Sequence, residues 1–187
     1  MKVKRSDILT LEEYDAKRPE IRARIIEQKR LRRVQAGPLT FLFENADTVR
    51  YQVQEMARAE RLYRDAEIQH EIDTYNELLG GPGELGCSLL IELADPRERD
   101  GKLRAWRALP QHLFARLEDG RRVRATFDPR QVGDDRLSSV QYLRFPVGPA
   151  APVAIGADLP ELEVETSLTA EQRAALQSDL DAAREQR

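Results

Sequence analysis

The run Gly80-Gly81-Pro82-Gly83 separates two kinds of apolar spacing, and that separation constrains the fold more than any other feature of the chain. Before it, Val49, Val53, Met56 and Tyr63 recur at helical spacing, with Ala59 and Leu62 flanking the stripe. After it the period drops to two: Cys87, Leu89, Ile91 and Leu93 fall on one face of an extended segment. Four turn residues in a row end the helical half without ambiguity. Helices and strands so segregated predict an α+β class.

Further elements follow from local chemistry. Thr10 with Glu13 is a capping box that starts a short helix over residues 11–17, and Pro19 suits the first turn of a second helix to about Arg30. Residues 34–38 read as a turn, followed by a strand with Leu39, Phe41 and Phe43 inward. Asn45 or Asp47 caps the long helical stretch, which is expected to break near residues 64–66 and resume to about Leu79. Asp95-Pro96 caps a helix to about Leu109.

A hairpin comes next, and its register is fixed by parity. Leu113, Ala115 and Leu117 must share a face with Val123, Ala125 and Phe127, which requires an odd loop. Glu118-Asp119-Gly120 supplies one, with Gly120 left-handed. Residues 139–147 form another strand, with Leu143, Phe145 and Val147 inward, and residues 153–156 return as a short edge strand. The expected whole is one α+β domain over residues 1–157, a mostly antiparallel sheet of about five to seven strands with helices on one face. Residues 158–187 carry eight acids against three bases and are expected to form an acidic tail, partly helical or disordered, contributing little to the core.

Composition narrows the function. The 187 residues are 41% hydrophobic and 34% charged, which excludes a membrane protein and a wholly disordered chain. A net charge of −3 does not mark a nucleic-acid binder, and the basic stretch 17–33 is read as a solvated helix face, or as a surface meeting the acidic tail or an acidic partner. No signal peptide is expected, and one thiol, Cys87, suits a reducing cytoplasm.

The run Thr48-Val49-Arg50-Tyr51-Gln52-Val53-Gln54-Glu55-Met56 is distinctive. With it go the Asp7–Tyr14 segment, Arg18-Pro19-Glu20, the phenylalanine strand, residues 71–76 and a Leu-Leu-Ile-Glu strand. Together, over roughly residues 5–147, these resemble the bacterial DUF3501 family. The resemblance carries no activity. It implies a small soluble protein encoded beside rubrerythrin-like and iron–sulfur redox proteins, hence an accessory or interaction protein with a redox partner of that type.

Two constellations remain. Glu67 and His70 stand three apart, the spacing of a di-iron helix ligand pair, but a full site needs a second such pair and two more glutamates. A solvated helix start is the favoured reading, and no metal or cofactor is expected. Arg50, Gln54 and Glu55 are the candidate recognition residues: a guanidinium there could orient a carboxylate of a ligand or partner, or the group could pin the helix to the sheet. No complete catalytic constellation is present, so the residues lean away from an enzyme. A metal-dependent or ligand-binding enzyme and an RNA-binding module are the alternatives, and a homo-oligomer is open.

Overall fold

Thr10 Oγ1 accepts from the Glu13 backbone N–H, the Glu13 carboxylate accepts from the Thr10 backbone N–H, and α1 (Leu11–Arg30) begins there. The computed structural model describes residues 2–185. Helix α1 runs unbroken through Pro19, where two helices were expected. Proline deletes one intrahelical bond, yet Tyr14 and Ile25, on either side of it, are both buried and hold the two halves to one surface.

Strands β1 (Arg33–Ala36) and β2 (Leu39–Glu44) form a hairpin over Gly37-Pro38, with Gly37 at φ +57°. Only the end of residues 34–38 is a turn: Val34 and Ala36 face the core, too few residues for alternation to show. Asn45 caps α2 (Ala46–Ala59), and α3 (Asp65–Asn76) follows a break close to its expected place. The remaining elements are β3 (Leu85–Ile91), α4 (Pro96–Ala105), α5 (Leu109–His112), β4 (Leu113–Arg116), β5 (Arg122–Arg124), β6 (Val140–Phe145), β7 (Ala154–Leu159), β8 (Leu162–Ser167) and α6 (Ala170–Arg184).

The class is α+β, but the strands make two antiparallel sheets of four, β1-β2-β3-β6 and β5-β4-β7-β8, instead of one of five to seven. The difference arises at β7, which is no edge strand: it pairs with β4 on one side and β8 on the other. The sheets enclose the main core. Phe41, Phe43, Leu89 and Phe145 come from one, Leu113, Ala115, Ile155 and Ala157 from the other.

Both seams between the sheets are closed. At one, Thr126 and Arg144 exchange backbone bonds of 2.7 and 2.8 Å. At the other, Thr166 Oγ1 donates to the Gln35 carbonyl at 2.8 Å, and a Cβ on Gly37 would meet Val164 at 2.9 Å. Beside the first seam, the Gln131 amide occupies the outer edge of β6: Nε2 donates to the Tyr142 carbonyl at 2.9 Å and Oε1 accepts from its backbone N at 2.6 Å. A side-chain amide there stands in for a neighbouring strand.

The β4–β5 hairpin has the register that parity demands. Leu117 N donates to the Arg121 carbonyl at 2.8 Å across a three-residue loop, and Gly120 sits at φ +85°. Leu113, Ala115 and Ala125 are buried, while Leu117, Val123 and Phe127 are half-buried.

The C-terminal segment requires a correction. A boundary after residue 157 falls inside β7, and beyond it Leu159, Leu162, Leu168, Leu176 and Leu180 all belong to the main core. Most of its acids turn outward, Asp158 and Asp179 being the exceptions, so a sparse leucine stripe suffices to seat α6. That seat is fixed by charge as well: Asp179 receives two bonds from Arg32 at 2.7 and 2.8 Å and one from Asn45, the α2 cap, at 3.1 Å. A second, smaller core holds Val3 and Ile8 against α2 and α3 through Val49, Val53, Ile68 and Ile72. Among the described residues no helix is long and apolar enough to cross a membrane.

Candidate functional site

Tyr14, Arg18, Ile21, Ile25 and Gln28 recur along α1 at alternating spacings of four and three, so they share the face turned to the rest of the molecule, and Arg32 continues it just past the helix end. Antiparallel to it lies α2, and polar rungs join the two. Arg58 Nε meets Asp15 at 2.5 Å. Arg18 grips both oxygens of Glu55 at 2.7 and 2.9 Å, and the Tyr14 hydroxyl donates to the same carboxylate at 2.5 Å. Toward the other end, Gln28 Nε2 donates to Asp47 at 3.1 Å.

Between the Glu55 and Asp47 rungs the ladder is interrupted, and a cleft of about 320 Å³ opens. Ile21, Arg24 and Ile25 line it from α1; Arg50, Tyr51 and Gln54 line it from α2. Leu9 and Asp7 border it from the N-terminal segment. Gln54 is buried and clasps Leu9 by both backbone groups, at 2.9 and 3.1 Å. Arg50 is half-buried and pairs with Asp47, whose other oxygen is the one bonded by Gln28. Lys29 Nζ lies 5.4 Å from the centroid of the Tyr51 ring, a cation over one of the lining side chains. Arg24 has no acidic partner among the described residues.

The sequence candidates therefore separate. Arg50 and Gln54 line the cleft, whereas Glu55 is spent in the neighbouring rung. Glu67 and His70 are both exposed on α3, where Glu67 reaches back to the Arg64 backbone at 3.4 Å. Among the described residues no group of three His, Cys, Asp or Glu is placed to hold a metal ion. Cys87 is buried in the main core, and burial pushes its thiol well above the usual range. Arg24 was hidden within a basic stretch read as a solvated face. Its position between Ile21 and Ile25 was the available signal.

Glu55 gives a measurable consequence. Its bonds to Arg18, and then to Tyr14, hold its carboxyl down at about 2, against the opposing effect of burial. A folded-state value below the unfolded one contributes stability above about pH 4.5 and loses it as pH falls toward 2. Glu55→Gln is expected to cost about 2 kcal/mol in urea unfolding at pH 7. The gap from wild type should close as both are titrated toward pH 2; a gap constant with pH would sink the assignment.

The sequence model of the family described as "Protein of unknown function (DUF3501)" matches residues 2–180. The chain belongs to the DUF3501 family. The DUF3501 match extends through most of α6, well past residue 147 where the resemblance had ended, so the C-terminal strands and helix are part of the family sequence. A crystal structure of a novel protein of unknown function from Burkholderia pseudomallei K96243 is 31% identical to this DUF3501 chain. It superposes with a TM-score of 0.87, covering 97% of this chain and 100% of that one. No curated protein matches the chain.

Proposed function

We propose that this chain is a binding protein, and that the α1–α2 cleft recognises the carboxylate of its ligand. The observation that carries this is the interrupted ladder: acids meet donors at the rungs on either side, and in the gap Arg24 has none. A guanidinium facing a concave, partly apolar space is suited to a carboxylate, which it can hold by two parallel bonds. Gln54 and Asp47 fix the floor and one wall, so Arg50 and Arg24 are presented from braced positions.

Calorimetric titration with 3-phenylpropanoate and with its neutral amide tests the reading. Wild type should bind the acid and not the amide, and Arg24→Met should lose the acid. Because Arg24 is exposed, that variant should stay within about 0.5 kcal/mol of wild-type stability. Equal binding of acid and amide, or no effect of Arg24→Met, would refute it.

The finer role, an accessory protein in the cytoplasm beside an iron–sulfur or rubrerythrin-type redox protein, is supported by the family resemblance alone. Affinity capture from the native cell, with metal analysis of the captured complex, tests it: an iron-containing partner retained by wild type and lost in Arg50→Glu supports the role, and capture without iron counts against it.

A further inference from the structure

We infer that the ligand of the cleft is a zwitterion of amino-acid size, an α-amino acid with an apolar side chain. The inference rests on the carboxylate reading above and adds the second charge and the body of the molecule. Of the charged groups lining the cleft, two are basic, Arg24 and Arg50, and two acidic, Asp7 and Asp47, so the lining is formally neutral. A formally neutral lining offers one carboxylate a partner in Arg24 but nothing for a second negative charge, and a phosphate dianion would face both carboxylates.

The commitments of these groups are unequal. Asp47 has one oxygen on Arg50 and the other on Gln28. Asp7 has Oδ2 on the Lys4 backbone at 2.8 Å, and among the described residues its Oδ1 has no partner. Among the charged groups of the lining, Arg24 is therefore the guanidinium with no acid at all, and Asp7 has the carboxylate oxygen with no donor. These are complementary to a carboxylate and an ammonium carried by the same small molecule. Beside Gln54, the rest of the lining is Leu9, Ile21, Ile25 and the Tyr14 and Tyr51 side chains, a mainly apolar surface that suits an apolar side chain. About 320 Å³ lies at the small end of ligand pockets, which span roughly 300–1,000 Å³, and so favours an amino acid over a nucleotide.

Calorimetric titration of the full chain with L-leucine and L-phenylalanine, their deaminated acids 4-methylpentanoate and 3-phenylpropanoate, and 2-phenylethylamine decides the matter. The amino acids should bind at least about tenfold tighter than the corresponding acids, and the amine should not bind measurably. Asp7→Asn keeps an oxygen for the Lys4 backbone and should remove most of that advantage, leaving the affinity of the acids unchanged. Acids binding as tightly as amino acids would overturn the zwitterion and leave the carboxylate reading standing. If none of the compounds binds, both fall.

Discussion

Cut after Pro160, the chain is expected to lose cooperative folding altogether. The cut removes β8 and with it the whole partner ladder of β7 from Ala154 to Leu159. It also removes four buried leucines, Leu162, Leu168, Leu176 and Leu180. Each truncation of a buried leucine to alanine alone costs roughly 2–5 kcal/mol, while the whole stability of a domain is about 5–15 kcal/mol. The sum exceeds the reserve. Thermal unfolding followed by near-ultraviolet circular dichroism should show no sigmoidal transition for residues 1–160. A transition only a few degrees below that of the full chain would mean that β8 and α6 are dispensable.

Asp179→Ala should be the most damaging single substitution of a charged residue, at about 3–5 kcal/mol. The Arg32 side chain is only 10% exposed, so removing its carboxylate strands a guanidinium away from water. The same change takes a partner from Asn45, which caps α2. Urea unfolding should show the loss, and the double variant Arg32→Met with Asp179→Leu should recover much of it, because apolar groups of similar size carry no desolvation cost. A cost under about 1 kcal/mol for Asp179→Ala would show that Arg32 remains hydrated.

What the sequence revealed depended on whether the information was local. Parity demanded an odd loop, because a strand side chain can point only one of two ways, and Gly120 picked the three-residue loop that sets Val123 opposite Ala115. Asn45 and Thr10 announced their helices through hydrogen bonds made within three residues. Pro19 misled because the penalty it carries is local, whereas the burial that outweighs it involves elements far along the chain. The C-terminal segment misled for a related reason: Leu168, Leu176 and Leu180 look thin among acids until the groove that receives them is known. Arg50 and Gln54 were legible as residues that could not all face water. The cleft was not, since it exists only as a gap between two rungs, and nothing within α1 says where α2 will touch it.

The pairing of Arg32 with Asp179 joins residues 147 positions apart. At roughly 5–20 residues per second, a ribosome that has added Arg32 needs about 7–30 s more to add Asp179. Through that interval the nascent chain carries a guanidinium without its acid and a core lacking its last leucines. Folding of the main core thus waits until α6 has been added, and until then the nascent chain offers holdase chaperones something to bind.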